Sequence, residues 1–367
     1  MGDSVIDLRS DTLSLPTDEM LRSIQDVKLG DDSRDGDPTV RELEALTAEM
    51  LGQEAAMLTV SGTMSNLIAM RTHTEPGGAA VVEQSAHLYG LEFGGIAAAC
   101  GLLVLPVPGR LGAMQPEPLR VATQRAGTGF PARGLVCLEN THNTAGGTVI
   151  SPQHMDLCCE IAHAHHLPVH LDGARIFNAA VALHADARVL TRSVDSVSMC
   201  LSKGLSAPVG SLLAGSRSFI DKARKVRRAF GGAMRQAGII AAPGLVALRT
   251  MIGRLAEDHE NARMLAHSLA LVPGLAINLE SVQTDIVNVD VKGLGIDAAT
   301  FARYLDARGV RGLPGMETML RFVTYRGITR SDVERAATTI HELVCEKPWE
   351  SEAKAPLNSG LTASKAI

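Results

Sequence analysis

Apolar residues along the chain fall into short unbroken runs separated by longer stretches with helical spacing. Residues 56–60, 79–83, 102–107, 135–139, 169–172, 196–201 and 210–215 are apolar runs too short for helices. Such runs predict strands buried on both faces. Between them, residues 39–51 place Val40, Leu43, Leu46, Met50 and Leu51 on one helical face, with Arg41, Glu42 and Glu49 on the wet side. Helical spacing recurs over 151–166 and 217–230, and a single long helix is expected over 241–271. Strands alternating with helices predict an α/β domain around a mostly parallel sheet.

Beyond that point the pattern changes. Residues 284–291 alternate like a strand, 298–308 read as a helix, 319–324 as a strand and 331–344 as a helix, which makes a smaller α+β unit. Residues 1–20 show no sustained period and read as an extended arm. From 348 onward Ser, Ala, Pro and Lys dominate, so 348–367 is expected to be a disordered tail. The division is therefore an arm (1–20), a large domain (21–248), a small domain (249–347) and a tail.

Composition narrows the class. A chain of 367 residues exceeds what one hydrophobic core usually serves, and 46% apolar with 20% charged residues is globular composition. A net charge of −5, dispersed basic residues and 3% aromatics give no nucleic-acid footprint. The run Lys222–Arg228 is expected to solvate one helical face. With no apolar run near the roughly 18 residues a span requires, and no signal-peptide pattern, the expected location is cytoplasmic, with no membrane partner. The six cysteines lack Cys-x-x-Cys spacing and read as reduced core residues. His163, His165, His166 and His170 lack the order of a metal motif and are expected in solvent; no metal site is predicted.

Candidate chemistry gathers at the ends of the strands. One strand closes on Asp172 and a later one runs into Ser202-Lys203-Gly204, which would set a carboxylate and an amine on one rim of a parallel sheet. That pair suits pyridoxal 5'-phosphate, which needs an amine for its aldehyde and an acid for its ring nitrogen. Ser61-Gly62-Thr63, a small-residue turn opening a helix, offers backbone N–H groups to an anion. Neither a P-loop nor G-x-G-x-x-G is present. His87 and His142 each follow a strand, Arg235 is a candidate phosphate ligand, and Arg321 suits a carboxylate. Arg175 would turn back to the site if a helix began at Gly173. Each of these residues also has a plain structural reading as a cap, turn or surface ion pair.

In combination they resemble the low-specificity L-threonine aldolases, fold type I pyridoxal-phosphate enzymes of the beta-eliminating lyase group. The markers are Asp-Leu-Arg-Ser-Asp-Thr at 7–12, Asp37-Pro-Thr-Val, Ser61-Gly-Thr-Met, His87 with Glu92, Glu139-Asn-Thr-His-Asn, Leu171-Asp-Gly-Ala-Arg, Leu201-Ser-Lys-Gly-Leu, Gly232-Ala-Met-Arg-Gln-Ala-Gly and Arg321-Phe-Val-Thr. The resemblance implies a large domain with a mostly parallel seven-stranded sheet and a smaller C-terminal domain. It makes Lys203 the lysine that holds the cofactor and Asp172 the partner of the pyridine nitrogen. Ser61, Gly62 and Thr63 would bind the phosphate together with Arg235. His87 would stack on the ring and share with His142 the handling of the substrate hydroxyl proton. Ser10, Arg175 and Arg321 would hold the amino-acid carboxylate, Arg175 also lying near the cofactor's phenolic oxygen, and Arg34 lies in a loop approaching the substrate. A homotetramer with sites at dimer interfaces is implied, acting on a small amino acid.

Three positions depart from the family's pattern. Arg34 stands where an aromatic is common, Tyr325 where histidine is usual and Asp285 where asparagine is common. The same residues also serve a transaldolase, a β-eliminating lyase or a cofactor-binding homologue without turnover.

Overall fold

A computed structural model describes residues 5–92 and 94–352. Its central element is a seven-stranded sheet in the order Ala55–Thr59, Ser211–Gly215, Ser196–Cys200, Val169–Asp172, Leu135–Glu139, Ala79–Glu83, Leu103–Val107. Only Ser211–Gly215 runs against its two neighbours; the remaining pairs are parallel. The five strands from Ala79–Glu83 through Ser211–Gly215 other than the edge strand Leu103–Val107 are buried at every residue. That is why three of them appear in the sequence as nearly continuous apolar runs, while Val169–Asp172 and Ser196–Cys200 bury His170, Ser196 and Ser198 by hydrogen-bonding them inside.

Helices cover both faces, and their starts follow local chemistry. Pro38–Met50 begins where Asp37 Oδ1 accepts the N–H groups of Thr39 and Val40 and proline occupies the first turn. Ser61, Ser151 and Ser216 cap Gly62–His73, Pro152–His163 and Arg217–Ala229 in the same way. Because these strands are parallel, their carboxyl ends share one rim. Glu83, Glu139 and Asp172 lie there, and the segment after Cys200 carries Lys203.

A second core forms around Ile286–Asp290, Met319–Val323 and Leu313–Pro314, an antiparallel sheet backed by Ala298–Ala307 and Arg330–Glu346. The N-terminal arm belongs to it: Ile6–Asp7 pairs in parallel with Val310–Arg311, and Ile6 and Leu8 are buried among Phe301, Phe322 and Val287. The arm thus crosses from the small sheet toward the rim of the large one.

The structure corrects four expectations. The single helix over 241–271 is two, Gly238–Thr250 and Leu255–Leu269, bent by 71°. Ala241 and Leu245 pack in the first core whereas Ala262, Leu265 and Leu269 pack in the second, so the chain must turn to serve both. The tail starts later than 348, because Pro348–Glu352 is helical with Trp349 buried edge-on to Phe301; residues 353–367 lie outside the described residues. The basic run is not wholly solvated: Arg227 is buried on the Leu58 carbonyl and Asp32, and Arg224 binds Glu44. His170 is fully buried, not in solvent. Among the described residues, no single helix is long and apolar enough to cross a membrane.

Candidate active site

Asp172 ends its strand with one oxygen accepting the Ala174 N–H at 3.1 Å and the other accepting Asn66 Nδ2 at 2.9 Å. Asn66 lies one turn into the Gly62–His73 helix and uses all its hydrogen-bonding capacity. Its Nδ2 also donates to Glu92 at 3.1 Å, while its Oδ1 accepts from Ser198 at 2.8 Å and from His170 Nε2 at 3.0 Å. Since Oδ1 can only accept, His170 carries its proton on Nε2, and its Nδ1 receives the Ser196 hydroxyl at 2.9 Å. Burial pushes His170 down to about 3, so the ring is neutral and the chain of donors keeps one direction.

His87 stands at the first position of the short helix His87–Gly90. Its backbone N–H donates to Glu139 Oε2 at 2.7 Å, and Glu139 Oε1 takes the Asn143 N–H at 2.8 Å, so one buried carboxylate ties two functional loops together. His87 Nδ1 meets Glu92 at 3.2 Å, and its side chain is about one-third exposed. Burial lowers the His87 pKa, but the Glu92 bond and the Asp172 and Glu139 carboxylates outweigh it, and the net shift is upward. His87, Glu92 and Asp172 bring ligand atoms within 4.8 Å of one another.

Lys203 follows the next strand. Its carbonyl accepts the Ser14 hydroxyl from the N-terminal arm at 2.7 Å, and with Ala174, Arg175, Cys200 and Gly204 it lines a recess of about 10 Å³. The turn Ser61-Gly62-Thr63 adjoins the same place: a Cβ at Gly62 would stand 2.8 Å from Cys200 Sγ, so only glycine permits that approach. Ser61 Oγ accepts the Met64 N–H, and the first-turn N–H groups of Gly62 and Thr63 have no intrahelical acceptor. Gly232 packs on Met64, which brings the Arg235 segment to this helix start. Arg235 itself contacts Ser33 and Asp31 and is largely exposed.

Two arginines meet under the arm. Arg175 is buried, donating Nε and Nη2 to the two oxygens of Asp11 and Nη1 to Asn143 Oδ1 at 3.2 Å. Arg321 Nη1 donates to the same Asn143 oxygen at 3.1 Å, and its Nη2 reaches the Arg9 carbonyl at 3.4 Å, next to Ser10. Arg321 Nε is buried without a partner. An orphaned guanidinium N–H beside a second arginine is what an incoming carboxylate would satisfy. Ser10 caps the turn Asp11–Leu13 and accepts from Thr12.

Several expected placements change. Arg175 is not inside a helix: Ile176–Ala182 begins after it, and Arg175, at the N-cap with φ −126°, is turned inward by Asp11 rather than by helical spacing. His142 is fully buried, with Nε2 on Glu83 at 3.0 Å and Nδ1 accepting the Ala145 N–H at 3.3 Å. Both ring nitrogens are therefore engaged by the protein's own groups. Arg34 is 77% exposed, with Asp31 3.8 Å from its Nε, and among the described residues it does not join the Arg175–Arg321 group. Tyr325 is buried and donates its hydroxyl to the Asp7 carbonyl at 2.8 Å, fastening the arm.

Asp11, Asn66, Glu92, Glu139 and Asn143 join the site without having been given roles from sequence. Asn66 had a usable signal, since it lies four residues after Gly62 and so on the same helical face. Asp11 and Asn143 had none beyond their place in polar turns.

These residues fit pyridoxal 5'-phosphate as a donor set. A carboxylate fixed by two N–H groups, a lysine on the same rim, a capped helix start with free N–H groups and a half-buried histidine match a ring nitrogen, an aldehyde, a phosphate and a flat face.

Comparisons with known proteins identify the family and the fold. Residues 7–292 match the family described as beta-eliminating lyase. Low-specificity L-threonine aldolase 1 of Arabidopsis thaliana is 39% identical over 333 residues, 89% of this chain and 93% of that protein. Low specificity L-threonine aldolase of Escherichia coli (strain K12) is 36% identical, covering 91% of this chain and 97% of its own length. The solved structure of a threonine aldolase from Leishmania major superposes with a TM-score of 0.79 at 18% identity, over 92% of this chain and 99% of that one, which shows the shared fold.

Proposed function

Because the chain belongs to the beta-eliminating lyase family, in its low-specificity L-threonine aldolase branch, we propose that it cleaves L-threonine, L-allo-threonine or related β-hydroxy-α-amino acids to glycine and an aldehyde. The observation that supports this reading is a linked set of side chains from separate segments: His87 and Asp172 bring ligand atoms within 4.8 Å of each other, Lys203 lines one recess with Arg175, and Arg175 and Arg321 share the Asn143 oxygen. Pyridoxal 5'-phosphate, when bound, supplies the electron sink for the pair released from the broken Cα–Cβ bond. Lys203 would hold it covalently, Asp172 would keep its ring nitrogen protonated, and Ser61, Gly62 and Thr63 with Arg235 would hold its phosphate.

The chain's own residues do the rest. Arg175 and Arg321, spaced by the shared Asn143 oxygen, hold the substrate carboxylate, with Ser10 beside them. That grip fixes the orientation of the bond to be broken, a positioning contribution that needs no further chemistry. His87 is the base for the β-hydroxyl proton. Its Nδ1 is committed to Glu92, which leaves the lone pair of the neutral ring on Nε2, and its raised pKa strengthens it as an acceptor. His142, enclosed by Glu83 and Glu139, positions the loop instead.

The exposed apolar residues Leu13 and Leu15 flank Ser14, which touches Lys203, and Tyr89 and Leu91 follow His87. An apolar rim of this kind supports a homotetramer in which a second subunit closes each site and its Arg34 loop approaches the substrate. All six cysteines are free and five are buried, which supports a reducing, cytoplasmic location.

The test is direct. Purified protein loaded with cofactor is mixed with L-threonine, L-allo-threonine and phenylserine, and aldehyde and glycine are assayed while the visible cofactor band is followed. A cofactor band with no aldehyde from any of the three overturns the aldolase reading.

A further inference from the structure

Around the two arginines the structure holds more negative charge than an anion-binding pocket calls for. Asp11 is committed to Arg175 through two N–H bonds. Asp285, just before the strand Ile286–Asp290, is 1% exposed, and neither of its carboxylate oxygens has a hydrogen-bond partner among the described residues. Its nearest cationic atom is Arg175 Nε at 3.8 Å, and that N–H already points to Asp11 Oδ2. Arg175 therefore favours a negative charge on Asp285 only from 3.8 Å and with no hydrogen bond between them, whereas Arg321 Nε, in the same group, is a donor without an acceptor among the described residues.

Counting the charges decides the consequence. Two guanidiniums, Arg175 and Arg321, face two carboxylates, Asp11 and Asp285, so the ionised group is neutral before any ligand arrives. Asp258, which faces Asp285 from the helix Leu255–Leu269, is paired with Arg254 at 2.5 and 2.9 Å. The Lys203 charge also favours the ionised form of Asp11, and the Tyr325 hydroxyl is occupied by the Asp7 carbonyl. A ligand carboxylate entering this dry group would leave it one negative charge in excess, unless one acid takes a proton. Arg175 holds Asp11 ionised through two hydrogen bonds, whereas it reaches Asp285 only by its charge at 3.8 Å.

We infer that Asp285 is the proton acceptor of the carboxylate-binding pocket, so that seating a carboxylate on Arg175 and Arg321 transfers one proton from solvent to a carboxyl oxygen of Asp285. The inference deepens the aldolase reading and rests on it. The proton balance is simple: one H⁺ enters with the ligand and returns to solvent when a carboxylate-bearing product leaves. Burial, with Asp11 adding to it and Arg175 opposing, pushes Asp285 up to about 7, which places the exchange near neutrality. At lower pH the acid is already protonated and binding takes up nothing. At higher pH uptake approaches one proton per site, and affinity falls by about tenfold per pH unit.

Calorimetric titration of the holoenzyme with 3-hydroxybutyrate tests this. That probe has the carboxylate and the hydroxyl but no amine, so it cannot condense with the cofactor. At about pH 8, where the free acid is mostly ionised, the apparent binding enthalpy is expected to change between phosphate and Tris in proportion to their ionisation enthalpies. Asp285→Asn is expected to remove that buffer dependence and flatten the affinity profile. Equal enthalpies in both buffers for the unaltered enzyme overturn the inference whether or not the variant folds, as does buffer dependence that persists undiminished in Asp285→Asn. Failure of the probe to bind either protein at any pH rejects the carboxylate pocket itself and the inference with it.

Discussion

Arg175 grips Asp11 with two nearly parallel N–H bonds, Nε on Oδ2 at 2.8 Å and Nη2 on Oδ1 at 2.7 Å, and both side chains are out of water. The bond joins an arm residue to the end of a strand more than 160 positions away. It aims the arginine at Asn143 and toward Arg321, where spacing along the chain could not.

Removing one partner of that pair is expected to be severe. Asp11→Ala leaves a buried guanidinium without its hydrogen-bonded carboxylate, with Asn143 at 3.2 Å and Asp285 at 3.8 Å as its remaining partners, a loss of up to about 3–5 kcal/mol by denaturant unfolding, together with a raised KM. Burial alone would raise the Asp11 pKa, but Arg175 overrides it and holds it below the usual carboxylate range. Its stabilisation is therefore complete above the ordinary pKa of about 4 and is lost as pH falls through the depressed value. Unfolding curves of the unaltered enzyme and Asp11→Asn are expected to converge in acid.

Glu92→Gln removes a carboxylate that raises the pKa of His87. A base must be neutral to accept a proton, so kcat/KM rises with pH through the His87 pKa, and in the variant that rise moves to lower pH. His87→Asn is expected to lower kcat by about 10²–10⁴-fold. The linked stability runs the other way: protonated His87 stabilises the fold below its unfolded pKa, and this is lost as pH rises through the folded one. An unchanged acidic limb in Glu92→Gln excludes His87 as the titrating base.

Asn66→Ala strips a donor from Asp172 and Glu92 and an acceptor from His170 and Ser198. Each orphaned buried group costs about 1–3 kcal/mol, partly relieved by water entering the space. Cofactor affinity, read from its absorbance, is expected to fall as Asp172 loses its fixed direction. A double-mutant cycle with Asp172→Asn isolates the coupling; no coupling energy means the amide does not orient the acid.

Lys203→Ala is expected to leave stability within about 0.5 kcal/mol, as for a partly exposed side chain whose amine has no hydrogen bond or ion pair within 4 Å among the described residues, while abolishing aldehyde production and the absorbance of covalently held cofactor. Retention of that absorbance in the variant excludes Lys203 as the attachment point.

Much of the scaffold was legible because burial on both faces writes a strand as an unbroken apolar run. The seven strands of the large sheet each lie within a residue of their predicted runs. Asp172 and Lys203 were legible for the same reason, since a polar residue directly after such a run must lie at the sheet's rim. The surroundings of His142 were not legible, because its position after a strand says nothing of which way the ring turns. Glu83 and Glu139 draw it inward, and Gly112, at φ +83°, makes room: a Cβ there would lie 2.3 Å from the ring.

The sequence by itself determined the alternation of strands and helices, the rim and the residue types that could serve it. Only the tertiary structure decided which charges are neutralised and which are left over. Arg175 finds Asp11, Arg254 finds Asp258, and Asp285 finds no donor. Hydrophobic patterning is local and repeats along the chain, whereas pairing of buried charges depends on distances of a few ångströms between segments that meet only after folding.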